Sequence, residues 1–131
     1  MIQRVQTVYL AFSILICLLT FYLFPLELEK KEFIGINFPF FFQKYSFISI
    51  SIINFISIIF YKKRNFQIIL NRFSIFLISL IIISFFLNIN DIYINEYKII
   101  LSAIVNLILI ILANKSILKD KKLIDSINRL R

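Results

Sequence analysis

Few residues in this chain could do chemistry. There is no histidine, the single cysteine, Cys17, lies inside an uncharged apolar run, and none of the seven Asp and Glu residues falls within such a run. A transition-metal site needs three or four imidazole, thiolate or carboxylate ligands, and a proton relay or carboxylate catalyst in a membrane needs ionisable groups at depth. Cys17 would serve as a nucleophile only beside a base that favours its thiolate. The sequence supplies no such base, and a buried inert thiol is the plainer reading. A lone cysteine also excludes an intrachain disulfide, and Gly35, the only glycine, cannot build a phosphate-cradling loop. No catalytic residue, metal ligand or cofactor is expected, so the chain reads as a non-enzyme.

The most polar residues within the apolar runs are two amides, Asn54 and Asn106. Ser51 and Ser57 flank Asn54 at three-residue spacing and Ser102 precedes Asn106 by one turn, so both stripes can face a bundle interior. Asn54 and Asn106 are candidate interhelical polar contacts, each such bond contributing about 0.6 kcal/mol. The other reading is a polar permeation path. Against it, these runs lack ionisable residues and internal Pro or Gly, which pathways commonly use.

The elements that must position these amides are transmembrane helices. Apolar residues make up 60% of the 131-residue chain and mean hydropathy is +0.90, beyond the roughly 45–50% apolar content of soluble domains. The spans are expected at residues 7–26, 45–61, 68–87 and 95–113, in one membrane domain that occupies the whole chain. Pro25 ends the first. Tyr45 and Tyr61 bracket the second, which is short for a hydrocarbon core of about 30 Å and invites either local thinning or extension through Phe41 and Phe42. Asn71 and Arg72 are placed at the membrane interface, with the third helix beginning near Gln67. The start of the fourth falls among polar residues between Asn90 and Asn95. The link at 25–44 reads as irregular or weakly extended, with a short surface hairpin as the other possibility. Arg4 and the following apolar run imitate a signal peptide, but no small-x-small cleavage site follows, so the first span is expected to remain as an anchor.

The 15 Lys and Arg residues alternate between the links. Eleven fall in the first tail, the second link and the last tail, and four (Lys30, Lys31, Lys44 and Lys98) in the other two links. The positive-inside rule therefore puts both termini in the cytoplasm. Lys62, Lys63, Arg64, Arg72, Lys115, Lys119, Lys121, Lys122 and Arg129 are candidate contacts for anionic lipid headgroups, which suit a net charge of +8 on membrane-flanking segments better than nucleic acid does. The basic tail, 114–131, holds no Pro or Gly, and its Ile117, Leu123, Ile124, Ile127 and Leu130 form one helical stripe. A basic amphipathic helix of this kind lies on lipid, packs under the bundle or docks a partner. The expected fold is all-α: an integral membrane bundle of four transmembrane helices with a C-terminal amphipathic basic helix.

Three motifs are more specific than the hydrophobic middle. The opening Met1-Ile2-Gln3-Arg4-Val5-Gln6-Thr7-Val8-Tyr9-Leu10, the segment Gln67-Ile68-Ile69-Leu70-Asn71-Arg72 and the ending from Ala113-Asn114-Lys115 to Asn128-Arg129-Leu130-Arg131 resemble a family of small bacterial four-span membrane proteins of unknown function, found mainly among Bacteroidota. The resemblance covers the full chain. It departs at Asn128, where the family's ending carries an acid, and in the spans, where Ile and Phe replace many small residues. It implies fold and topology and carries over no activity; the expected location is the bacterial inner membrane. The expected role is a non-enzymatic structural or interaction component, with a membrane protein partner or a second copy of the chain as possible associates. A small transporter or channel subunit is the alternative.

Overall fold

The computed structural model describes the backbone of residues 2–23, 38–87 and 94–129, and the side chains of 5–23, 45–84 and 97–126. Those residues form four helices: α1 (Ile2–Leu23), α2 (Phe38–Ile59), α3 (Arg64–Leu87) and α4 (Ile94–Arg129). Consecutive helices pack side by side and α4 closes the ring against α1. Neighbours run antiparallel: Leu23 at the end of α1 and Lys98 near the start of α4 line one cavity, and Arg64 at the start of α3 pairs with Asp120 late in α4. Three helices contain stretches long and apolar enough to cross a bilayer, Val5–Leu23, Arg64–Ser84 and Tyr97–Ser126, and α2 adds the shorter apolar stretch Tyr45–Ile59.

The core follows a 3-4 repeat on every helix. Buried positions in that repeat are Gln6, Leu10, Ser13, Cys17 and Thr20 on α1; Phe47, Ile50, Asn54 and Ser57 on α2, with Ser46 and Ser51 buried beside them; and Gln67, Asn71, Ser74, Ile78 and Ile81 on α3, with Ile68 beside them. On α4 they are Ile99, Ala103, Asn106, Ile110, Ala113, Ile117 and Asp120. A repeat averaging 3.5 residues keeps one stripe of a helix facing its neighbours along its length. The stripes gather small and polar residues, while Leu15, Leu19, Phe55, Ile69, Phe76 and Leu101, among others, point outward. That polarity is suited to lipid, where small residues let helices approach closely and large apolar ones meet acyl chains.

The helices outrun the spans expected from uncharged runs. α1 starts at Ile2 instead of residue 7, because an Arg within the first turns interrupts an apolar run without interrupting a helix. α2 starts at Phe38, so residues 38–44 are helical and not part of an irregular link; Pro39 is tolerated in a first turn, where its missing N–H has no helical partner. The rest of the 25–44 link, residues 25–37, lies outside the described residues. α3 starts at Arg64, one turn before residue 68, and Asn71 on its inward face is fully buried between helices. α4 is one continuous helix that absorbs most of the basic tail, about 54 Å long at 1.5 Å per residue.

Candidate functional site

Five residues of the core form one hydrogen-bonded chain across all four helices, and two more form a separate pair. Ser74 on α3 donates to Asn54 Oδ1 on α2 at 3.0 Å, and Asn54 Nδ2 donates to Ser13 Oγ on α1 at 2.7 Å. The Ser13 hydroxyl donates in turn to Asn106 Oδ1 on α4, and Asn106 Nδ2 donates to Cys17 Sγ, back on α1. The first three donors point the same way around the ring, from α3 through α2 and α1 to α4, and the fourth returns to α1; in such a donor–acceptor chain hydrogen bonds polarise one another. Toward the α2–α3 turn, Ser57 donates to Asn71 Oδ1 at 2.9 Å. Asn54 and Asn106 thus meet through Ser13, with no direct bond between them. Of their expected serine companions, Ser51 is buried on the same stripe, whereas Ser102 folds back onto the Ile99 carbonyl of its own helix.

The register set by these bonds layers the interior. Ser13, Asn54, Ser74 and Asn106 share a level; Leu10, Ser57, Asn71 and Ile110 lie a turn nearer the α2–α3 turn, followed by Gln6, Gln67 and Asn114. In the opposite direction come Cys17, Ile50, Ile78 and Ala103, then Thr20, Phe47, Ile81 and Ile99, a mainly apolar cluster in which the buried polar side chains are the thiol, Ser46, Ser51 and Thr20, the last donating to the Ile16 carbonyl. All the buried amide side chains lie in the half toward the α2–α3 turn, mixed with Leu10, Ile110 and Ile117, and the other half is mainly apolar. In that half, Gln6 Nε2, Gln67 Nε2, Asn71 Nδ2 and Asn114 Oδ1 are buried with no hydrogen-bond partner among the described residues.

Sequence reasoning missed Ser13, Cys17, Asn71 and Ser74 as network members. Their signal was the 3-4 spacing itself: Ser13–Cys17 and Asn71–Ser74 occupy core positions of that repeat.

The polar half ends at a basic mouth. Phe60–Lys63 turn the chain between α2 and α3, with Phe60 edge-on to Phe66 at 5.2 Å and Gln67 N–H bonded to the Lys63 carbonyl at 3.1 Å. Against this turn α4 sets Lys121, and Lys62, Lys63, Arg64 and Lys121 line an open cavity of about 770 Å³ together with Asp125. Arg64 reaches Asp120 at 3.4 Å and ties the turn to α4. The remaining headgroup candidates divide. Arg72, Lys115, Lys119 and Lys122 are exposed on outward helix faces, and the side chain of Arg129 lies outside the described residues. The apolar stripe proposed for the tail splits as well: Ile117 is fully buried in the bundle, whereas Leu123 and Ile124 are 46% and 38% exposed.

Chemically, the network can bind helices to one another, and the basic mouth can hold an anion. Among the described residues no group of His, Cys, Asp or Glu could hold a metal ion. No curated protein and no solved structure matches the chain. One family pattern matches nearly all of it, residues 2–130, and the chain accordingly belongs to the family described as a domain of unknown function, DUF4293.

Proposed function

We propose that this protein is a non-enzymatic component of the bacterial inner membrane, a four-span scaffold with both termini in the cytoplasm and its basic mouth among anionic headgroups. The observation that carries the reading is how the mid-core polar groups are used. Ser13, Asn54, Ser74 and Asn106 bond to one another, so their hydrogen-bonding capacity is directed at helix association. The outward faces, crowded with large apolar side chains, are left for lipid and for a membrane protein partner or a second copy. The alternation of Lys and Arg supports the orientation.

Two measurements test it. A reporter active only outside the cytoplasm gives no signal when fused after Arg131 and a strong one when placed in the 25–37 link; the reverse pattern sinks the topology. Crosslinking in native membranes traps a discrete protein adduct, either a homodimer or one companion. Only lipid adducts would remove the interaction role.

A second reading is favoured by one observation, the four unpartnered amide atoms in the polar half, which suit a solute-accessible vestibule of a small transporter or channel subunit. Phe47, Ile50, Ile78, Ile81 and Ile99 fill the core beyond it. Flux of small neutral solutes into proteoliposomes at the rate of protein-free vesicles is the expected result; a protein-dependent flux favours transport.

A further inference from the structure

We infer that the basic mouth is a site for a phosphate group carrying two negative charges, a phosphomonoester or diphosphate, in preference to the singly charged phosphodiester of common anionic lipids. The inference rests on the reading of this end as the headgroup-facing one and sharpens it from diffuse attraction to a built site. Lys62, Lys63 and Arg64 come from the turn and the start of α3, and Lys121 from α4, two chain segments that meet only because the bundle closes. Asp125 in the wall and Asp120 on Arg64 neutralise two of these four cations, leaving two positive charges uncompensated. A phosphomonoester carries roughly −1.5 to −2 near neutral pH and matches that remainder; a phosphodiester carries one charge and does not.

Geometry points the same way. The cavity, at about 770 Å³, is far larger than one water's share of about 30 Å³, so it can admit a headgroup or a diphosphate with part of its hydration. The N-terminal residues of α3, Arg64, Asn65 and Phe66, form part of its wall, and the positive end of the helix dipole adds to the cations there. Lys115, Lys119 and Lys122 lie on outward faces of α4 and are exposed. They belong to the general positive field and not to the cavity.

The test uses the full chain in neutral detergent micelles, titrated calorimetrically with short-chain phosphatidic acid, short-chain phosphatidylglycerol and inorganic pyrophosphate. Phosphatidic acid is expected to bind roughly tenfold more tightly than phosphatidylglycerol, the gain from one more charge about 6 Å from two cations in a water-like dielectric. The double variant Lys62→Gln/Lys121→Gln loses this preference. Lys115→Gln/Lys119→Gln, an equal change of charge outside the cavity, keeps it. Equal binding of the two lipids, or equal loss in both variants, overturns the site. A preference of phosphatidic acid over pyrophosphate assigns the site to a lipid, and the opposite order to a soluble diphosphate. Micelles have no sidedness, so failure here is separable from failure of the topology. Helicity and melting of each variant, measured in the same micelles, identify any loss that comes from unfolding.

Discussion

Ser13 has the highest stakes of any single residue, because one hydroxyl accepts from Asn54 and donates to Asn106. Its removal leaves two amides each short of a partner. Ser13→Ala is expected to lower stability by about 1 kcal/mol, two interhelical bonds at membrane values, measured as resistance to SDS unfolding in mixed micelles. Ser79→Ala is the comparison: that hydroxyl donates to the Phe76 carbonyl of its own helix, and its loss should be near neutral. A cycle of Asn54→Leu and Asn106→Leu should show coupling that disappears when Ser13 is already Ala. Strict additivity in the Ser13 background would show that the hydroxyl does not link them. The two amides were legible in the sequence as the most polar residues in the apolar runs. Ser13 was not, since serine and threonine in membrane helices commonly bond back to their own carbonyls, as Thr20, Ser49 and Ser116 do here, and nothing local distinguishes the two uses.

Helix ends and helix faces differ in what the sequence discloses. Four helices were evident from the apolar runs, but their ends were read where charge begins, whereas a helix continues through Arg, Gln and Lys as readily as through Leu. The inward faces were legible in principle from the 3-4 recurrence of Ser, Ala, Asn and Cys among Ile and Leu. On α4 the small members matter most: Ala103 and Ala113 are fully buried, and Leu at either should cost about 1–3 kcal/mol by overpacking, against almost nothing for Leu at the exposed Val105. Equal effects at all three would refute the packing assigned to this face. Beyond Asp120 the helix keeps only one side against the α2–α3 turn, through Lys121, Ile124 and Asp125, while Leu123 is exposed, and the Arg64–Asp120 pair is a tie near the start of this stretch. A short isolated segment is a marginal helix in water. Asp120→Asn should therefore change global stability by less than about 1 kcal/mol, as a partly exposed ion pair does, while speeding amide exchange over residues 121–129. Unchanged exchange there would show that the tail is held by something other than this pair.

For the whole molecule, the dominant asymmetry is between the half of the core nearer the basic mouth, which holds all the buried amide side chains, and a mainly apolar half away from it. No single helix announces it, because it arises only when four stripes are brought into register; Ile78 and Ile81 on α3 look no different in sequence from the Ile residues that face outward. If this end lies among headgroups, the chain should be held more firmly in anionic than in zwitterionic nanodiscs, each Lys or Arg near the surface adding about 1 kcal/mol at most, and the difference should shrink as salt is raised. A difference indifferent to salt would exclude the headgroup account. The network also implies an order of assembly. The bonds between α2 and α3 join residues 14 and 20 positions apart across a tight turn, whereas Ser13 must await a partner 93 positions downstream. While the ribosome is still making α4, α1 has its central hydroxyl and thiol without their Asn106 partner. A nascent chain truncated before Asn106 would keep that defect permanently.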